Sequence, residues 1–170
     1  MRILGGQYKG LNIDTSKFTS YRPTQARVRK SIFDILAPFN YSNVLDLYSG
    51  SGILGFESAS RGAKSITFVE NDHRAINLLN KNKNKFVNNT FHIVKKRSIA
   101  YLNNIDKNYD LIFADPPYGS EDYFELMNIC IEKLVKNGKL ILEMRNNDFS
   151  FAGAIVKHYG ETKIILYTKK

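Results

Sequence analysis

Short β-rich runs alternate with helix-patterned stretches over most of this chain, and a glycine-rich loop follows the first run. Alternation of this kind forces a crossover between successive strands, so the chain is expected to form a layered α/β domain with a largely parallel sheet. Strands are expected near residues 43–48, 65–70, 90–95, 109–115 and 139–144. Two more, at 154–159 and 162–168, are joined only by Gly160-Glu161. Two residues cannot make a parallel crossover, so that last pair must be antiparallel.

Helices occupy the gaps. Thr24 can cap a helix whose apolar positions Val28, Ile32, Ile35 and Leu36 recur at helical spacing, with Pro38 ending it. Residues 121–136 place Phe124, Met127, Cys130, Ile131 and Leu134 on one face, and Gly138 is positioned to terminate that helix. Cys130, the single cysteine, therefore reads as a core thiol, and neither a disulfide framework nor a cysteine zinc site can be built from it. The polar run at 80–89 reads as a solvated helix end. Residues 1–23 break the alternation. Gly5-Gly6 and Gly10 punctuate a possible hairpin there, an N-terminal basic extension of a single domain spanning 1–170.

The loop after the first strand runs Asp46-Leu47-Tyr48-Ser49-Gly50-Ser51-Gly52-Ile53-Leu54-Gly55. Glycines at 50 and 52 let the backbone turn tightly against a ligand, and Gly55 lets the following helix approach the strand. Glu70, at the end of the second strand, lies where a ribose-binding carboxylate belongs. Two ligands fit that pattern. A dinucleotide would place its pyrophosphate at the helix N-terminus, beside the repelling carboxylate of Asp46. S-adenosylmethionine carries no phosphate and needs acceptors for its ammonium and ribose hydroxyls, which Asp46 and Glu70 supply. It is the favoured cofactor. A nicotinamide enzyme would also need a substrate domain that 170 residues hardly accommodate.

The fourth strand delivers Asp115-Pro116-Pro117-Tyr118 to the rim of the sheet. Proline lacks a backbone N–H and fixes its own φ, so the turn offers carbonyl acceptors rigidly. A carboxylate, an acceptor-rich turn and an aromatic face suit a planar base bearing an amino group. In an open α/β sheet these residues and the glycine loop should line one crevice.

The charge balance names the kind of substrate. Lys and Arg number 25 against 16 Asp and Glu, a net +9. Seven basic residues against Asp14 alone fall within residues 1–30, a local net of +6. This points to a polyanionic partner such as nucleic acid, with Lys9, Arg22, Arg27 and Arg29 as candidate phosphate contacts. Thr24, whose hydroxyl is also the candidate helix cap, joins them. No run approaches the ~18 apolar residues of a membrane span, and the N-terminus lacks a signal-peptide pattern. A cytoplasmic protein is expected.

Over nearly its whole length the chain resembles the class I S-adenosylmethionine-dependent methyltransferases, and within them the bacterial small-subunit (16S) rRNA guanine-N2 methyltransferases known as RsmD. The resemblance rests on Ile3-Leu4-Gly5-Gly6-Gln7-Tyr8-Lys9-Gly10, Arg22-Pro23-Thr24 with Arg27-Val28-Arg29 and Phe33, Asp46 to Gly55, Glu70, and Asp115 to Tyr118. It implies a Rossmann-like, seven-stranded, mostly parallel sheet with an antiparallel last strand and helices on both faces. It implies a cofactor site of Asp46, Tyr48, Ser49, Gly50, Ser51, Gly52, Glu70, Asn71, Ser98 and Asp115. It further implies catalytic roles for Asp115, Pro116, Pro117 and Tyr118, and ribosomal RNA as substrate, within a small-subunit assembly particle. One position departs from the pattern. After the third strand such enzymes carry Asp or Asn before a small residue, but here Arg97 precedes Ser98, and arginine has no acceptor for the adenine amine. The rival activities are adenine-N6 methylation of DNA or RNA, and a non-catalytic RNA-binding assembly role on the same fold.

Overall fold

A computed structural model describes residues 1–15, 26–117, 119 and 122–170. In chain order the elements are α1 (Ala26–Ile35), β1 (Asn43–Leu47), α2 (Ile53–Ser60), β2 (Ser65–Glu70), α3 (His73–Lys83), β3 (Thr90–Lys95), α4 (Ser98–Leu102), β4 (Tyr109–Ala114), α5 (Tyr123–Glu132), β5 (Leu134–Arg145), β6 (Ile155–Tyr159) and β7 (Thr162–Thr168). The strands form one sheet in the order β3-β2-β1-β4-β5-β7-β6. The pairs from β3 across to β5 are parallel, and β7 runs antiparallel to both of its neighbours. The expected α/β architecture, with an antiparallel final strand, is thus the observed one.

Strand alternation sends side chains to two separate cores. Val44, Ile66, Phe68, Leu111, Phe113 and Ile141 face α1 and α2, while Leu45, Leu47, Ile112, Ala114, Leu142 and Met144 face α4 and α5. Phe56 of α2 stacks on Phe86 with ring centroids 5.0 Å apart and tilts against Phe68 at 4.8 Å, which pins α2 to the sheet. Gly55 makes that approach possible: a Cβ there would sit 2.3 Å from a ring carbon of Phe68.

Two sequence expectations fail at the α5–β5 junction. The helix ends at Glu132 rather than near 136, and β5 begins at Leu134 rather than near 139. Gly138 lies inside the strand instead of ending the helix, and its carbonyl accepts from the Lys169 amide. Its place is explained by crowding, since a Cβ would meet the Val135 carbonyl oxygen at 2.9 Å. Helical periodicity continued through a segment that tertiary pairing took for the sheet.

The N-terminal segment is a hairpin-like loop with one bridge, Arg2 to Asn12, and it is packed on the domain. Ile3 and Ile13 are buried in the α1–α2 core. Asn82 of α3, fully buried, donates to the Asp14 carbonyl and accepts from the Asp14 amide, so the polar run at 80–89 is not wholly a solvated helix end.

Candidate active site

The chain leaves β1 for β2 and β3 and then returns to β4 on the other side of β1, which makes a crevice beyond the carboxyl ends of β1 and β4. The glycine loop bounds it on one side. Gly50 and Gly52 both adopt positive φ, 51° and 73°, as does Tyr48 at 54°, a conformation glycine takes without strain. Ser49 and Ser51 are buried. The Ser49 hydroxyl donates to the carbonyls of Asp46 and Val69, locking the loop to β1 and β2.

Glu70 joins this loop to the next one. Its Oε2 accepts from the Gly50 amide at 2.7 Å, and its Oε1 accepts from the amides of Asn71 and Asp72 at 2.6 and 2.8 Å. A carboxylate offers about four acceptor sites, so Oε2 retains capacity for a ligand hydroxyl. Asn71 is exposed beside it. Further along, Ser98 is buried at the first position of α4, whereas Arg97 is exposed and caps that helix through its backbone alone.

Three carboxylates converge on the far wall. Asp46 pairs in register with Phe113, and Phe113 with Ile141. Two residues further on, Asp115 and Glu143 therefore point to the same face of the sheet as Asp46. Asp46 is 3% exposed and accepts from the Gly55 amide at 2.9 Å. Burial, with the Glu70 charge adding to it against the Gly55 hydrogen bond, pushes the Asp46 carboxyl up to about 8. Asp115 is also pushed well above the usual carboxylate range, first by burial, then by the neighbouring Glu143 and Asp46 charges. Crowding of acids favours their protonated forms, and a cationic ligand would serve this group where a pyrophosphate would not. Pro116 is buried and Pro117 exposed at the mouth. Tyr118 lies outside the described residues. Glu143 was missed in the sequence, although a lone acid ending the apolar run Leu140-Ile141-Leu142 was a visible signal.

The basic residues separate into two groups. Lys9 and Arg27 are exposed, as a phosphate contact requires, and Arg22 and Thr24 lie outside the described residues. Arg29 is corrected. It is 2% exposed, donates to the Arg2 carbonyl at 2.8 Å and lies 3.8 Å from the carboxylate of Glu57, so it braces the fold rather than facing solvent. Helical spacing put it on the same turn as Val28, but the N-terminal segment covers that face.

Sheet order, glycine loop and acidic crevice together are those of a class I S-adenosylmethionine-dependent methyltransferase. A family model described as conserved hypothetical protein 95 matches residues 1–168. The ribosomal RNA small subunit methyltransferase D of Buchnera aphidicola is 34% identical over 82% of this chain and 70% of its own length. That of Haemophilus influenzae is 33% identical over 82% and 73%. The chain belongs to this family, the small-subunit rRNA methyltransferase D proteins. A solved structure described as putative methyltransferase yhhF from Escherichia coli superposes with a TM-score of 0.88 at 27% identity, over 100% of this chain and 98% of that one. A putative methyltransferase complexed with SAH shares the fold, at TM-score 0.67 and 17% identity over 84% of this chain and 48% of that one.

Proposed function

We propose that the protein transfers a methyl group from S-adenosylmethionine to the exocyclic 2-amino group of a guanine in small-subunit ribosomal RNA. The observation that carries this is the juxtaposition of three carboxylates, buried Asp46 and Glu143 and half-buried Asp115, with a glycine loop on one side and an acceptor-rich Pro-Pro turn on the other. When bound, S-adenosylmethionine supplies an electrophilic methyl on a sulfonium. Gly50, Ser51 and Gly52 would line its backbone path, Glu70 Oε2 would take a ribose hydroxyl, and Asp46 would face its ammonium. Ser98 and neighbouring backbone would serve the adenine, in place of the acidic side chain that Arg97 lacks.

The amine of a guanine is a poor nucleophile because its lone pair is delocalised into the ring. Asp115 and the Pro116 carbonyl accept its two N–H groups and hold it in line with the methyl, so most of the acceleration comes from alignment. Asp115 must be ionised to accept strongly, and a neighbouring cation lowers its raised pKa toward that state. After transfer the amine sheds one proton to Asp115 or to water. Tyr118 provides an aromatic face for the base, and a base paired in a helix must first be extruded. Lys9 and Arg27, with Arg22 and Thr24, hold RNA phosphates in this reading, and a small-subunit assembly particle in the cytoplasm is the setting. The choice of guanine rests on the family, because the turn itself also suits the amino group of adenine.

The test is incubation of the protein with labelled S-adenosylmethionine and unmodified small-subunit RNA or particles, followed by digestion to nucleosides. Label in N2-methylguanosine is expected; label in N6-methyladenosine or in protein would overturn the reading.

A further inference from the structure

Lys95, Lys96 and Arg97 make a basic run at the carboxyl end of β3 that the proposed chemistry leaves unused, and all three are exposed. Strand pairing fixes where the run lies. Lys95 is in register with Glu70, and the Lys96 amide donates to the Glu70 carbonyl at 3.1 Å. The three cations therefore stand on the same rim of the sheet as the glycine loop and the crevice. From β4 to β3 the sheet order counts three strand spacings, or roughly 14 Å, a span that a few nucleotides cover.

Nothing described within the fold neutralises this run. Elsewhere on the surface lysines meet acids: Asp34 takes Lys30 at 2.6 Å, and Asp14 takes Lys81 and Lys85 at 2.9 and 3.2 Å. Among the described residues, the side chains of Lys95, Lys96 and Arg97 have no hydrogen-bond or ion-pair partner. The acids of the neighbouring loop turn their carboxylates to backbone amides instead, Glu70 to those of Gly50, Asn71 and Asp72, and Asp72 to that of Ala75. Three adjacent like charges repel one another. A nucleic-acid strand relieves that repulsion and gives up its condensed counterions in exchange. Lysine on an edge strand also discourages pairing between molecules, which would suffice for Lys95 alone. Lys96 and Arg97 lie past the last ladder pair, where no edge is left to guard.

We propose that Lys95, Lys96 and Arg97 hold phosphates of the RNA strand where it leaves the target nucleotide and crosses the β2–β3 side of the crevice. This rests on the reading of the protein as an RNA methyltransferase. Arg27 belongs to α1, which packs over β4 through the Phe33–Phe113 ring contact at 5.9 Å. The two basic groups thus lie on opposite sides of β1, and RNA would be held on both flanks of the crevice. Contacts of this kind fix the register of a strand and carry no base preference.

The experiment measures affinity for unmodified small-subunit RNA across a series of salt concentrations, by filter binding, in wild type and three triple variants. The first removes the run, Lys95→Ala with Lys96→Ala and Arg97→Ala. A second keeps its charge, Lys95→Arg with Lys96→Arg and Arg97→Lys. The third removes as many exposed charges away from this rim, Lys64→Ala with Lys136→Ala and Lys157→Ala, which precede β2, open β5 and lie in β6 at the far edge of the sheet. Removing the run is expected to lower the slope of log affinity against log salt by about 2, at about 0.7–0.9 per phosphate contact, and to raise the KM for RNA about tenfold, with S-adenosylhomocysteine affinity within about twofold of wild type. The charge-keeping variant should retain the wild-type slope, and the distant variant should lose far less than the first. Equal slope losses in the first and third variants would reduce the effect to net charge and overturn the inference, as would an unchanged slope in the first or a fall in cofactor affinity without a fall in RNA affinity. Binding is read without turnover, so a wild type that binds RNA yet methylates nothing overturns the proposed activity while the slopes still decide the inference.

Discussion

Two buried acidic regions of this molecule are handled in opposite ways. Under the N-terminal segment, Glu57 is fully buried and fully matched. Its Oε2 accepts from the Leu4 amide, its Oε1 from the Gly5 amide and Arg61 Nε, and Arg29 lies beside it. At the carboxyl rim of the sheet, buried Asp46 and half-buried Asp115 lie next to further acids, and both are driven toward protonation. A matched buried charge holds a fold together, whereas crowded acids keep a site ready for a cation and cost stability until it arrives.

The largest expected effect breaks the rim. Asp115→Ala should lower kcat by roughly 100- to 1000-fold through lost alignment, with little change in melting temperature; an intact rate would remove the turn from the chemistry. Next comes the matched site. Glu57→Ala leaves the Arg61 guanidinium and two amides without their acceptor and buried Arg29 without its counter-ion, and should cost about 3–5 kcal/mol, or about 10 °C in thermal unfolding. A loss under about 1 kcal/mol would mean that the region is not the brace described here.

Asp46→Asn sharpens the contrast, because asparagine can still accept from Gly55 but carries no charge. The folded pKa is raised from 3.8 to about 8. Folding therefore takes up a proton between those values, and the Asp46 contribution to stability, complete below pH ~4, is lost as pH rises through ~8. The variant should match wild type near pH 4, melt higher at pH 9, and bind S-adenosylmethionine at least tenfold more weakly. The smallest effect concerns the surface: Arg27→Ala should reduce the slope of log affinity for RNA against log salt by about 0.7–0.9, measured by filter binding.

Much of the fold was legible in the sequence, since strands are local and patterned: β2, β3 and β7 fall at the expected residues, and the Gly160-Glu161 turn required the antiparallel pair. The acids of the crevice were visible too, because Glu70 and Asp115 each end an apolar run and Asp46 is the one acid inside another. What periodicity cannot see is contact between distant segments. Arg29 looked like a phosphate contact until residues 1–15 covered it, and Gly138 looked like a helix stop until it paired with Lys169 inside β5. Each was decided by a partner far away in the chain.

Proton counting during cofactor binding tests the central contrast most directly. Calorimetric titration of S-adenosylmethionine at pH 7, in buffers of different ionisation heat, reports the protons released. If the crowded acids await a cation, binding should release about one proton per protein, and Asp46→Asn should abolish most of that release while Glu57→Gln leaves it unchanged. Binding with no proton release in the wild type would contradict the account.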